Sequence, residues 1–451
     1  MSTEIAVPDV ANSVNIGLHR SMSMSSISSI ASITSQTSLH SFGGLPRTPP
    51  SFRSDDFAVH GGLLEGIPHI RAKLDPRHYN SSAFAQQLLD ILRVLRVPSW
   101  SQTTTPFPIP YIRKVSGCLT NAVFFVSSPL TSSRTLLLRL YGPSSGSLIS
   151  RPRELHVLHV LSSRYKLGPR IYGTFTNGRI EEYFDSVTLT YSDIRNPGIS
   201  GYIGARMAEL HSVDVATIEG QSHGSSVEIG VRKNVQSWLP PARDVLALPA
   251  ITPAIRKELN LSKFQTKWES YMKWLKDTQV DARPVFCHND AQYGNLLRLN
   301  KVQEGTPDHH QIIVVDFEYA SPNPAAFDIA NHFHEWTANY HGSTPHVLDA
   351  SRYPSLAERR TFLTAYLENR ATPDTPAFLD LSPAAREREL VALEKTVRAW
   401  SPSSHAMWAV WGLVQAREDV QACVVQPEFD YVNYARCRMA SFYRELAALG
   451  L

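Results

Sequence analysis

Phe84, Leu88, Ile91 and Leu95 recur at helical spacing with polar residues between them, which predicts an amphipathic helix that Pro98 brings to an end. The period then shortens. Apolar and β-branched residues cluster in 111–115, 123–126, 135–141, 171–176 and 180–183, each of which reads as a strand, and one helical segment, 154–163, interrupts them. Five strands with so little helix describe a small α+β lobe. Beyond Pro197 the pattern turns helical, with helices expected over 202–211 and 263–276. Ser382 followed by Pro383 supplies an N-cap and a first-turn proline for a helix through Trp400, and further helices are expected over 403–415 and 431–446. Two short strands, 285–287 and 312–315, bracket the centre of this half.

The N-terminal stretch is of another kind. Serine dominates 21–41, and the proline-rich 46–50 follows. Such a segment buries too little apolar surface to offset its ordering entropy, so residues 1–75 are expected to be a disordered Ser/Pro-rich tail. Ile27, Ile30 and Ile33 could form a short helix with a partner; a mitochondrial leader is the other reading, but Arg20 is the sole lysine or arginine before Arg47. Residues 76–185 then make the small lobe and 186–451 the large one. No internal repeat is present.

Composition mainly excludes. With 43% hydrophobic residues, the 451-residue chain can bury a sizeable core in more than one lobe. A formal charge of +3 without any basic run gives no case for nucleic-acid binding. The four cysteines, Cys118, Cys287, Cys423 and Cys437, are scattered, and no secretory signal precedes them, which fits a reducing cytoplasm rather than a disulfide framework. The 17 histidines include no HExxH or comparable ligand spacing. No apolar run approaches the roughly 18 residues of a membrane span.

The chemistry lies between the two short strands of the large lobe. Residues 285–299 read VFCHNDAQYGNLLRL, with Asp290 five residues before Asn295, and 312–318 read IIVVDFE, with Asp316 at the end of an apolar strand. A carboxylate placed there is costly unless a cation receives it. Phosphoryl transfer uses such a set: one aspartate to orient the attacking hydroxyl and take its proton, an asparagine and a second aspartate to hold Mg²⁺ on the phosphates of ATP. HxDx₄N followed by a strand and an aspartate matches the protein-kinase pattern of catalytic loop and metal-binding acid. The bland alternative makes Asp290 and Asn295 a turn and Asp316 an N-cap, but it leaves the joint spacing unexplained. A protein kinase proper is disfavoured, because Asp-Phe-Gly, Ala-Pro-Glu and an activation segment are all missing.

These residues carry a resemblance. Cys287-His288-Asn289-Asp290 with Asn295, and the block DFEYASPNPAAFDIANHFHEW from Asp316 to Trp336, resemble the choline/ethanolamine kinase family from about Ile112 to Tyr443. The resemblance implies the bilobal fold shared with protein kinases and aminoglycoside phosphotransferases: a small β-rich N-lobe that binds nucleotide and a large, mainly helical C-lobe that binds substrate. It implies Asp290 as catalytic base, Asn295 and Asp316 as magnesium ligands, and Glu318 assisting at the metal. The stretch LLLRLYG at 136–142 resembles the family's ATP-contacting strand, with Arg139 in the place of the protein-kinase lysine; a guanidinium offers phosphate a fixed fork of donors. Glu154 would steady Arg139, or would be an ordinary acid in a helix's first turn. Ser116, Gly117 and Asn121 fall in the phosphate-covering loop, where the family often has a second glycine in place of Ser116. Glu182 falls in the hinge that contacts adenine, where an amide is usual. His288 and Asp328 look like braces for the catalytic loop, and His332 and His334, with no evident third ligand, look structural.

Glu335, Trp336, Tyr340, Trp408, Trp411 and Tyr434 match positions that enclose the choline headgroup in the family. Cation–π attraction worth roughly 0.5–2 kcal/mol per ring suits a trimethylammonium group, which has no N–H to donate. For any one tryptophan pair, core packing is the plainer reading. The expected reaction is ATP-dependent phosphorylation of choline. Ethanolamine kinase, or an enzyme of both alcohols, is the alternative within the family; a silent kinase-fold binder and an antibiotic-type phosphotransferase are the rivals outside it. The family's tendency to dimerise extends the expectation to a homodimer.

Overall fold

Leu136, Leu138 and Leu140 are buried and alternate with more exposed neighbours, the pattern of a sheet covered on one face. In the computed structural model this strand lies within a seven-stranded sheet. The structure describes residues 62–101, 108–117, 121–130, 133–141, 150–220, 228–278, 283–371 and 376–451. The small lobe runs β1 (Gly62–Leu64), β2 (Ile67–Ile70), α1 (Ser82–Val94), β3 (Tyr111–Gly117), β4 (Asn121–Ser127), β5 (Leu136–Tyr141), α2 (Arg151–Val160), β6 (Ile171–Phe175) and β7 (Gly178–Glu182). Its strands follow the order β1-β2-β6-β7-β5-β4-β3, antiparallel except where β2 meets β6. The side chain of Ser81 caps α1 by accepting the Phe84 N–H. Phe84, Leu88, Ile91 and Leu92 of that helix share one apolar core with Phe124, Leu138 and Ile180 of the sheet.

Two of these strands correct the expectation of a tail through residue 75. Gly62–Leu64 and Ile67–Ile70 pair around Glu65 and Gly66, both at positive φ, and Ile67, Ile70 and Leu74 are buried. The segment is legible only as a tight turn between strands too short to display a period. The rest of the expected tail, 1–61, lies outside the described residues, as do 118–120 and 142–149. Helix α2 joins the lobes: Leu155, Leu158 and Val160 belong to the large lobe's core, which also takes in Ile67 and Ile171 of the sheet, and not to the core shared with α1.

The large lobe continues with β8 (Ser186–Thr188), α3 (Pro197–His211), α4 (Val215–Glu219), α5 (Gly230–Ala247), α6 (Pro253–Glu258), α7 (Leu261–Thr278), β9 (Pro284–Cys287), β10 (Leu296–Leu299), β11 (Ile312–Val314), β12 (Ser321–Pro324), α8 (Ala325–Glu335), α9 (Leu356–Asn369), α10 (Pro383–Gln415), α11 (Arg417–Gln421) and α12 (Tyr431–Ala448). Helices α5 and α9 are additions to the pattern reading; α5 even contains Pro240 and Pro241. The helices expected over 383–400 and 403–415 are one 33-residue helix, α10, that runs through Pro402. A proline there removes a backbone donor. Side chains supply donors to carbonyls beside the gap: the Tyr271 hydroxyl donates to Ala399 O and the Ser403 hydroxyl to Trp400 O. Two small sheets, β11-β10-β8 and β12-β9, carry the 288–295 loop and the segment around Asp316. No helix among the described residues is long and apolar enough to cross a membrane.

Candidate active site

Strand β9 delivers the chain into the 288–295 loop, and α8 holds that loop from behind. Asp328, in the first turn of α8, accepts the backbone N–H of His288 and of Asn289, each at 2.8 Å, and is met by His211 Nε2 at 3.1 Å. Burial works to raise the Asp328 carboxyl, but the His211 contact and its charge outweigh that and hold it below the ordinary aspartate range. Asn289 sits at φ +65°, a left-handed conformation that asparagine tolerates. Its amide nitrogen donates to Tyr319 O and Ser321 Oγ, and its oxygen accepts from Asn323. His288 closes the frame: its Nδ1 accepts the Asp290 N–H at 3.2 Å while Nε2–H donates to Val315 O at 3.1 Å. Burial lowers its pKa, in keeping with this neutral tautomer. Both residues expected to be braces occupy bracing positions.

Asp290, Asn295 and Asp316 converge. Asn295 Nδ2 donates to the Asp290 carbonyl and to its carboxylate Oδ2, each at 2.9 Å. The Val315 N–H donates to Asn295 O at 3.0 Å, so the residue preceding Asp316 is tied to the end of the 288–295 loop. Asp316 itself stands at φ +69°, strained for an aspartate and held by these neighbours. With the Asn295 nitrogen committed to Asp290, its amide oxygen is the atom left to face an ion. That oxygen and the Asp316 carboxylate form an oxygen-only donor set, with Glu318 two residues on, which fits Mg²⁺ rather than a softer metal. Asp290 is 2% exposed. Burial raises its pKa well above the usual range, and the negative charges of Glu335 and Asp316 raise it further. Two buried acids, Asp290 and Glu335, with the half-buried Asp316 in electrostatic reach of Asp290, create a demand for cations.

On the small lobe, Arg139 Nε donates to Glu181 Oε1 at 3.0 Å. Burial disfavours the guanidinium charge, but Glu181 and, at longer range, Asp316 keep it protonated. Glu154, one of whose two expected roles was to steady Arg139, favours its charge only through space, and Glu181 is the direct partner. In the β5–β7 register Arg139 is opposite Arg179, so two like charges share the sheet face. Glu181 lies between them and Glu154 is displaced outward, bonded to Arg179 at 2.7 Å and to Arg151 at 3.1 Å. Burial would raise the Glu181 carboxyl; the two arginines bring it down to about 2. The Glu182 carboxylate accepts the Arg170 N–H at 3.2 Å at the end of β7. Ser116 and Gly117 end β3 and Asn121 opens β4, paired as Ser116 with Val123 and Gly117 with Ala122. They flank the turn expected over the phosphates, whose own residues lie outside those described.

A buried cluster of aromatic rings around Glu335 and Arg438 lies within electrostatic reach of Asp290. Glu335 Oε2 accepts from the Tyr340 hydroxyl at 2.6 Å, and Oε1 accepts from Arg438 Nη2 at 2.8 Å. Arg438 Nε in turn donates to the Tyr434 hydroxyl at 3.0 Å. Trp411 stands 6.1 Å from Tyr434 and 5.2 Å from Trp408, edge to face in both cases. The two indole N–H groups are anchored, Trp408 on Asn331 at 2.7 Å and Trp411 on the Tyr319 hydroxyl at 2.9 Å. Tyr431 packs against Trp411 and Phe429 against Tyr434. Trp336 is placed elsewhere: its N–H bonds His332, and Arg195 stacks over its ring at 5.1 Å.

Arg438, Tyr319, Asn331, Phe429 and Tyr431 are additions to the residues picked out from sequence. Arg438 follows Tyr434 by one helical turn, a spacing that could have flagged it; Tyr319 lies inside the quoted 316–336 block. His332 donates from Nδ1 to Ala291 O at 2.7 Å, and burial lowers its pKa to about 4. His334 does have further potential ligands beside it, His405 and Glu445, but its Nε2 is already hydrogen-bonded to Ser401 at 2.8 Å.

Comparison with known proteins agrees with this geometry. Residues 112–443 match the choline/ethanolamine kinase family. A choline kinase of Schizosaccharomyces pombe is 34% identical over 416 residues, spanning 82% of this chain and 90% of its own. Among solved structures, a Plasmodium vivax ethanolamine kinase superposes with a TM-score of 0.61 at 22% identity, covering 80% of this chain and 89% of its own. A Cryptosporidium parvum choline kinase gives 0.60 at 22% identity, covering 81% and 96%. The two-lobed kinase-like fold is thus that of these structures.

Proposed function

Because the chain belongs to the choline/ethanolamine kinase family, we propose that it transfers the γ-phosphoryl group of ATP to the hydroxyl of choline, giving ADP and phosphocholine, the entry step to phosphatidylcholine. The observation that carries this reading is the position of Asp290, a buried carboxylate bonded by Asn295 and within electrostatic reach of Glu335 and Tyr434 of the ring-lined pocket. A substrate with its cationic end among the rings presents its hydroxyl towards Asp290. Asp290 then takes the hydroxyl proton as the oxygen bonds to the γ-phosphorus, and the bond to the bridging oxygen of ADP breaks. Arg139 faces the phosphates from the small lobe and stabilises the spreading negative charge. Asn295 and Asp316, with Glu318 nearby, would hold Mg²⁺, which supplies neutralisation of the phosphate oxygens.

Choline is favoured over ethanolamine because the pocket walls are aromatic. Trimethylammonium gains from ring faces, whereas a primary ammonium requires acceptors for three N–H groups. The same walls argue against an antibiotic-type phosphotransferase, whose polycationic substrates call for an acid-lined cleft. Coupled ADP release, measured across choline, ethanolamine and the mono- and dimethylated intermediates, tests the assignment. The expected order of kcat/KM rises with methylation. A higher value for ethanolamine would reassign the substrate, and no ADP release with any amino alcohol despite nucleotide binding would make the protein a silent binder.

A further inference from the structure

The acid of the amine pocket is not a bare counter-ion. Glu335 is 1% exposed and Arg438 0%, and they form a direct ion pair of 2.8 Å. The other Glu335 oxygen carries the Tyr340 hydroxyl. Among the described residues Arg438 has no second anion in direct contact: its remaining nitrogens face the Tyr434 hydroxyl and, at 3.5 Å, His405 Nδ1. Burial and the Arg438 charge hold His405 neutral. The guanidinium charge is therefore spent on Glu335.

We propose that Arg438 is a positioning residue that sets the amine selectivity of the pocket: by pairing with Glu335, while Tyr340 occupies the other carboxylate oxygen, it withdraws charge and acceptors from a primary ammonium and leaves the site to a quaternary one. This rests on the assignment of an amino-alcohol kinase. A primary ammonium entering the pocket must replace its lost hydration with hydrogen bonds, and leaving an N–H unpaired in a buried site is costly. Each Glu335 oxygen keeps one further lone pair, but Arg438 cancels the field that would draw the ammonium to it. A trimethylammonium group has no such requirement and takes its stabilisation from Trp411 and the tyrosine faces.

The test is the ratio of kcat/KM for choline to that for ethanolamine, measured with the full chain. Arg438→Gln should lower the ratio about tenfold, chiefly through a lower KM for ethanolamine, since a site that offers a hydrogen-bond partner discriminates strongly for the ligand that uses it. Tyr340→Phe, a milder change that frees the second carboxylate oxygen, should lower it about threefold. This variant decides the matter alone if Arg438→Gln does not fold. A purely structural ion pair would depress both substrates equally; an unchanged ratio in a folded Arg438→Gln variant, or in Tyr340→Phe when that variant stands alone, overturns the proposal. Wild-type protein that phosphorylates neither alcohol overturns the kinase assignment itself, and is distinguishable because it requires no variant.

Discussion

Asp328→Asn separates bracing from chemistry. The wild-type carboxylate accepts three buried donors, His288 N–H and His211 Nε2 on one oxygen and Asn289 N–H on the other. An asparagine can preserve the first pair by presenting its oxygen there, but its amide NH₂ then faces the Asn289 N–H. One buried backbone donor is orphaned, costing about 1–3 kcal/mol, and the remaining bonds lose their charge assistance, about 1 kcal/mol more. The expected loss is about 2–4 kcal/mol in urea unfolding. Because Asn289 directly precedes Asp290, the proposed base should shift, and displacements of about 1 Å at a reacting group cost on the order of a hundredfold. Coupled ADP release should therefore show kcat reduced by about tenfold to a hundredfold, with the KM for choline far less affected. The sign with pH follows from the lowered Asp328 pKa. Its stabilisation is present above the unfolded value of about 3.9 and is lost as pH falls through the lower folded value, so the gap between wild type and variant should persist to about pH 4 and shrink below it. A variant with kcat within threefold of wild type would refute the claim that Asp328 positions the base, whatever its stability.

Other changes probe the remaining parts. Asp290→Ala should lower kcat by about a hundredfold or more, and turnover within a few-fold of wild type would remove it from the role of base. Asp316→Asn should raise the Mg²⁺ concentration for half-maximal rate by about tenfold, read from a magnesium titration at fixed ATP; an unchanged titration would show that Asp316 is no ligand. Trp411→Ala removes one ring face, so kcat/KM for choline should fall about 2- to 30-fold and that for ethanolamine less, while equal losses would argue against a discriminating cage.

The convergence of Asp290, Asn295 and Asp316 was readable because each residue is fixed by a short-range pattern: a loop between strands, an asparagine five positions on, and an aspartate after four β-branched residues. What escaped depends on registers that sequence spacing does not carry. Glu181 rather than Glu154 meets Arg139 because antiparallel pairing sets Arg179 opposite Arg139. Trp336 turns to His332 and Arg195 although its neighbour Glu335 bonds Arg438 and Tyr340, since adjacent helical residues diverge by about 100°. No break separates 400 from 403: the helix continues through Pro402, with Tyr271, from a helix more than a hundred residues earlier, donating to Ala399 O beside the carbonyl that the proline leaves without its helical partner. The left-handed backbone of Asp316 is likewise imposed by its surroundings, since aspartate alone gives no reason to adopt it.

The paired strands at 62–70 decide where a trimmed version of this protein can begin. Starting the chain at residue 76 would strip β2 from its parallel partner β6 and leave a sticky, half-zipped border on the nucleotide-binding sheet. Ile67 and Leu74, both fully covered, would vanish from beneath their neighbours at the same time. A crystallographer or assay developer who trims at the visible end of the serine-rich region should keep Gly62 onward, or expect clumping that has nothing to do with catalysis.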